Sequence, residues 1–222
     1  KLLVKTLLVK FALDTAERLS PSKIRGAIAS QFDQYVLLHH HFGQFLLYKY
    51  PMIQYKFLGE SPTIVGVNEG AELLQKIHYD LDKLIIGREE IKLKGKNLIF
   101  RSDDYGISAR VISYCFLTPW LALNEKNYEQ YQKFGTWSER KELLENILIG
   151  NILSMSKSLG YTVTEPIKAE IYKVREVKTR LKDVPMLGFM GTFSVNFEIP
   201  DYWGIGKSVS RGFGTVKKCN SL

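Results

Sequence analysis

Apolar positions along the chain fall into blocks whose spacing alternates between that of strands and that of helices. Residues 1–13 are dense in Leu and Val with few breakers and predict a buried strand. Ser20 and Pro21 then supply an N-cap and a proline at the first helical position. Ile24, Ala27, Ile28 and Phe32 share one face of the helix that follows, which turns Lys23 and Arg25 toward solvent or a partner. Residues 44–58 are aromatic and extended, with Pro51 marking an edge or a bend. A short strand over 62–67 precedes a second helix carrying Leu73, Leu74, Ile77, Leu81 and Leu84. A basic strand or hairpin covers 91–101, with Gly95 as its turn.

That order, β-α-β-β-α-β, is the split βαβ arrangement of a ferredoxin-like domain. The turn-rich run Ser102-Asp103-Asp104-Tyr105-Gly106 marks a domain boundary, and a second strand-first unit opens over 111–117. Thr136 and Glu139 form a capping box for a helix that continues through Leu143, Leu144, Ile147, Met155 and Leu159 to Gly160. Residues 167–182 hold six basic and two acidic side chains and predict a hairpin or two strands. From Leu187 to Ile199 the alternation is strict, with Phe189, Phe193, Val195 and Phe197 to one side of a half-buried strand. The expected architecture is α+β, two tandem ferredoxin-like domains side by side. Residues 1–104 form the domain with a histidine cluster, and 105–222 the domain with a glycine-rich stretch.

Composition narrows the function classes. At 45% hydrophobic and 24% charged, the 222 residues suit a packed protein and exclude a disordered one. Thirty-one Lys and Arg against 23 Asp and Glu leave a formal charge of +8, which favours a polyanionic partner. Cys115 and Cys219 are too few for a disulfide framework or a metal cluster, and a reducing, cytoplasmic setting is the simplest expectation. Lys5 and Lys10 interrupt the opening Leu/Val run, so it does not make a signal peptide, and no uncharged apolar run is long enough to span a membrane.

The most unusual local sequence is Gly204-Ile205-Gly206-Lys207-Ser208-Val209-Ser210-Arg211-Gly212-Phe213-Gly214. A Walker A reading of Gly-Lys-Ser fails because its first glycine would fall on Asp201, and a dinucleotide fingerprint fails at Val209. Thr215-Val216-Lys217 predicts a strand, so no helix N-terminus follows to receive a phosphate. What remains is a flexible loop of glycines, basic side chains and hydroxyls without a carboxylate. Its backbone can approach a phosphate closely, and Arg211 can grip one bidentately.

The pattern G-x-G-K-x-x-S-R-G-F-G near the C-terminal end resembles the glycine-rich loop of the CRISPR-associated RNA-binding superfamily, whose members carry ferredoxin-like domains. Within it the chain most resembles the endoribonucleases that cut precursor CRISPR RNA inside its repeats. A second match joins Ile24-Arg25-Gly26, Leu37-Leu38-His39-His40-His41, Tyr48-Lys49-Tyr50-Pro51 and Ile53-Gln54-Tyr55-Lys56. It is similar to one branch of these nucleases, in which a histidine-containing segment precedes a Y-x-Y-P-x-I-Q-Y stretch.

The resemblance implies metal-independent cleavage that leaves a 2′,3′-cyclic phosphate and a 5′-hydroxyl, with no cofactor. His41 is then the first candidate for the catalytic histidine, His39 the second, and Tyr48 the partner. Adjacent histidines seldom converge on one ion, which disfavours zinc, whereas an imidazole with a pKa near 6.5 suits proton transfer. Tyr48 would orient groups rather than act as a base, because its phenol stays protonated. Arg25, Lys207, Ser208, Ser210 and Arg211 are expected to bind RNA phosphates, with Tyr50 and Tyr55 as strand residues able to stack a base. The partners implied are CRISPR repeat RNA and other subunits of a CRISPR effector complex, with no membrane; a homodimer stays open. The alternative function is a non-catalytic RNA-binding subunit of such a complex.

Overall fold

A computed structural model describes residues 1–14, 19–32, 49–59 and 61–219. The chain forms two compact units: Leu3–Asp103 with Ser210–Gly212, and Lys1–Leu2 with Asp104–Val209 and Phe213–Leu222. They are called here the N-terminal and C-terminal units.

In the N-terminal unit the elements are β1 (Leu2–Leu13), α1 (Pro21–Gln31), β2 (Ile53–Leu58), β3 (Ser61–Val67), α2 (Glu69–Ile77), β4 (Lys83–Ile86) and the first half of β5 (Glu89–Phe116). Ser20 caps α1 as expected: its side chain accepts a hydrogen bond from the Lys23 amide, with Pro21 in the first turn. The sheet runs in the order β2-β3-β1-β5, the order of a ferredoxin-like domain. β3 is antiparallel to both neighbours, with Leu7 opposite Gly66 and Tyr55 opposite Ile64. Leu7, Val9 and Phe11 of β1 join Ile24, Ala27 and Ile28 of α1 and Ala71, Leu74 and Ile77 of α2 in one core. The opposite face of this sheet is also buried, and it is polar: Thr6, Gln54, Lys56 and Thr63 lie there beside Leu8 and Val65.

Three sequence expectations change in this unit. Gly95 is not a turn; the strand runs through it, and the turn is at Gly87 (φ 64), where Ile86 pairs with Glu89 across the β4–β5 hairpin. The helix does not reach Leu81 or Leu84. It ends at Ile77, a 3₁₀ turn over His78–Asp80 follows, and the helical spacing is continued by Leu81 just after that turn and Leu84 on β4, which enter the same core. Tyr55 is 1% exposed, so its ring is core and offers no face to a base.

Ser102–Gly106 is likewise strand rather than turn, because β5 carries the chain from one unit into the other without a break. Tyr105 there is buried, its hydroxyl 2.9 Å from Ser156 Oγ. The polar composition that suggested a linker belongs to a strand whose exposed side needs no apolar residues.

The C-terminal unit contains the rest of β5, α3 (Glu125–Lys133), α4 (Trp137–Ser158), β6 (Ala169–Leu181), β7 (Val184–Glu198) and β8 (Val216–Lys218). Its sheet order is β5-β7-β6, with β8 added on β5. The capping box of Thr136 and Glu139 is present, and Gly160 (φ 72) lies just past the end of α4. The α3 helix, capped by Asn124, was not legible, since only Tyr131 is buried along it. Residues 169–181 form one strand with a bulge between Tyr172 and Arg175, not two strands. Phe189, Phe193, Val195 and Phe197 of β7 are fully buried, with Leu144, Leu148, Ile152 and Met155 of α4.

Cys115 and Cys219 form a disulfide, with Cα atoms 5.6 Å apart. Two cysteines are too few for a framework of several bridges, and this one bond is the single pairing they allow. The pairing is set by β8: Cys115 lies opposite Lys217, and the Cys219 amide donates to Ser113 O at 2.9 Å. A sequence separation of 104 residues hid it. No helix among the described residues is long and apolar enough to cross a membrane.

Candidate functional site

The glycine-rich stretch is closely packed rather than loose. Gly206 (φ 93) lies against the Trp120 indole, where an added Cβ would sit 2.7 Å from ring atoms. Gly212 (φ 95) rests on β2, where a Cβ would be 2.8 Å from Tyr55 O. Only glycine meets both conditions, a left-handed backbone and a neighbour within touching distance. Ser208 also takes a positive φ of 55. The expectation of a flexible loop is therefore replaced by a rigid one.

That packing gives each polar side chain a definite place. Within the N-terminal unit, Arg211 Nη1 donates to Ser22 Oγ at 3.0 Å, in the first turn of α1. Arg25 lies one turn further along α1 and acts on Arg211 electrostatically: desolvation first, then the Arg25 charge, lowers the pKa of the Arg211 guanidinium. Two guanidiniums that repel each other beside a serine hydroxyl make a local positive field suited to an anion. Ser210 is 8% exposed, so little of it is available to a ligand.

Within the C-terminal unit, the Lys207 amide donates to Leu121 O at 3.2 Å and its Nζ to Leu123 O at 3.3 Å. Burial lowers the Lys207 pKa, and Glu125 partly opposes this. Ser208 follows, half-buried.

Of the sequence candidates, then, the structure brings Arg25 and Arg211 together, and it seats Lys207 on the carbonyls before α3. His39, His40, His41 and Tyr48 lie outside the described residues. Lys56 stands in the quoted Ile53-Gln54-Tyr55-Lys56 run but received no role. It is fully buried in β2, and desolvation puts its pKa well below the usual lysine value. Its neighbour Tyr55 has its phenol pKa raised by the same burial. A lysine between two aromatics in an extended run reads as a solvent-facing strand position, so nothing in the sequence marked it.

Comparison with known proteins supplies the family. Residues 2–104 match the Cas6b N-terminal domain, and residues 106–219 match the Cas6b C-terminal domain. The chain belongs to the Cas6b family. A solved structure of Cas6b superposes with a TM-score of 0.89 at 38% identity, covering 98% of this chain and 100% of that one. A second, of a CRISPR RNA processing endoribonuclease Cas6b, gives a TM-score of 0.79 at 36% identity, with 98% and 100% covered. An uncharacterized protein of Methanocaldococcus jannaschii is 43% identical over 145 residues, which is 61% of this chain and 97% of that protein. Membership extends over both units, and the two ferredoxin-like domains expected from element order are those of the Cas6b fold.

Proposed function

We propose that this Cas6b chain is an endoribonuclease that processes precursor CRISPR RNA by cutting within its repeats, without a metal ion. The observation that carries the reading is the family match over both units, reaching a structure named as a CRISPR RNA processing endoribonuclease. The positive field that Arg25 exerts on Arg211, beside the Ser22 hydroxyl, supports the reading as a place for an RNA phosphate.

In this reading the ribose 2′-OH is the nucleophile. It attacks the adjacent phosphorus and gives its proton to a base. The bond to the 5′ oxygen breaks, that oxygen takes a proton from an acid, and the products are a 2′,3′-cyclic phosphate and a 5′-hydroxyl. His41 is the first choice for proton transfer and His39 the second, with Tyr48 orienting the phosphate or the hydroxyl. Arg25 and Arg211 grip backbone phosphates, and Lys207 and Ser208 extend that contact. Ser210 supports the loop more than the ligand. Arg211 or Lys207 offsets the charge that grows on the phosphate oxygens. The chain works in the cytoplasm, where the RNA is made, and other effector-complex subunits and a second copy of the chain are its candidate partners.

The test is a denaturing gel of end-labelled repeat RNA incubated with the protein in EDTA. One cut per repeat with a cyclic phosphate end is expected. Replacing His41 by Ala should slow it by about 10²–10⁴-fold, the usual worth of a general acid or base, with RNA still bound. No product from the unaltered protein would end the metal-free reading. Unchanged processing after joint replacement of His39, His40 and His41 would favour a non-catalytic RNA-binding subunit.

A further inference from the structure

One face of the C-terminal sheet has a feature that the reaction above does not use. In the order β5-β7-β6, directly opposed residues share a face. Ser113 stands opposite Ser194, and Cys115 and Tyr172 both stand opposite Thr192, so these residues share the side away from buried Phe193. Tyr172 is on β6 and Ser113 on β5, with all of β7 between them. Yet the Tyr172 hydroxyl donates to Ser113 Oγ at 2.6 Å. Two strand spacings come to roughly 9.5 Å, so the tyrosine must lie down across β7 to make this bond. The small side chains of Thr192 and Ser194 leave room for it. The backbone at its base is fixed too, because Thr192 Oγ1 donates to Tyr172 O at 2.8 Å, just before the bulge. Tyr172 remains 36% exposed.

We infer that Tyr172 is a stacking platform for one unpaired nucleotide of bound RNA, separate from the phosphate grip of Arg25 and Arg211. The inference rests on the RNA-processing reading. A partly exposed ring pinned at its hydroxyl and at its backbone carbonyl loses little further freedom when a base settles on it, and every base has a π-face to offer. The surrounding charge suits a polyanion. Arg175, opposite Met190, and Lys173 are exposed on β6 within three residues of Tyr172, and Lys217, whose Nζ lies 5.5 Å over the Tyr202 ring, stands opposite Cys115 on the same face. The acidic groups nearby are engaged: Glu170 with Lys141 at 3.5 Å, and Glu198 with Lys218 at 2.7 Å. A protein partner would expect a larger apolar area than one ring on a floor of Ser and Thr.

Repeat RNAs bearing a single 5-iodouridine at successive positions, irradiated in complex with the protein, test the platform directly. A cross-link to Tyr172 at one position is expected. In equilibrium binding, Tyr172→Leu should weaken affinity by about ten-fold, while Tyr172→Phe, which keeps the π-face, loses no more than about three-fold. The slope of affinity against salt should be the same for all three proteins, since stacking releases no counterions. If the Leu variant does not fold, the cross-link decides alone. Repeat RNA that binds and is cut normally, with cross-links only elsewhere and full affinity in the Leu variant, would overturn the platform and leave the nuclease reading standing. Failure of the unaltered protein to bind repeat RNA would retire both.

Discussion

Lys56 is enclosed in β2 with its ammonium held toward the neutral form by desolvation. A lysine whose pKa is lower in the folded than in the unfolded chain binds fewer protons when folded. Stability therefore rises with pH until the unfolded value near 10.5 is reached, and falls as pH drops through that window. Urea unfolding between pH 7.5 and 9.5 should show this slope, worth at most about 1.4 kcal/mol per pH unit. Lys56→Met should be flatter by that amount, and parallel curves would refute the assignment. Gly212 makes a second residue-scale test. Its φ of 95 and the proximity of Tyr55 O mean that Gly212→Ala should cost about 1–3 kcal/mol in denaturant unfolding. Residues of this kind show where sequence reading stops. The glycine run announced a special loop because glycine density is a local property. What each glycine rests on, Trp120 or Tyr55, is set by contacts far along the chain.

At the scale of elements, legibility followed the strength of the periodic signal. β7 was plain because its buried phenylalanines alternate without a break, and α4 because its capping box precedes a long apolar face. That cap is measurable: Thr136→Ala should lower stability by about 1 kcal/mol in thermal or urea unfolding, since the Thr136 hydroxyl accepts from the Glu139 amide at 3.3 Å. α3 escaped notice for the opposite reason, being polar on nearly every side. β5 was misread twice, at Gly95 and at Ser102–Gly106. Both are turn-forming sequences that the pairing of neighbouring strands holds extended. The candidate site was legible as a set of basic and hydroxyl residues at two places in the chain. That Arg211 would meet Ser22 and the field of Arg25 needed the fold, because 189 residues separate the hydrogen-bonded pair.

For the molecule as a whole, the Cys115–Cys219 link is the contribution composition could least foretell. Two cysteines in 222 residues look incidental, yet the bond closes a loop of 104 residues. In the chain-entropy account a loop of that length is worth up to about 4–5 kcal/mol. The melting temperature of the oxidised protein should fall on addition of a phosphine reductant, and that of Cys115→Ser should not respond. A melting curve unmoved by reductant would show that the bond adds nothing to stability. The +8 charge acts at the same scale, attracting a polyanion whatever its sequence, so that under the proposed function selectivity for a repeat must come from base and shape contacts.

The N-terminal unit takes three of its residues, Ser210–Gly212, from the far end of the polypeptide. During synthesis its sheet and helices emerge first, but the piece that lies on β2 is translated only after Asp104–Val209 of the other unit. The first half of the nascent chain must wait on the ribosome for its own last component. A fragment ending near Asp103 would accordingly lack the arginine that sits beside α1, however well its hydrophobic interior had formed.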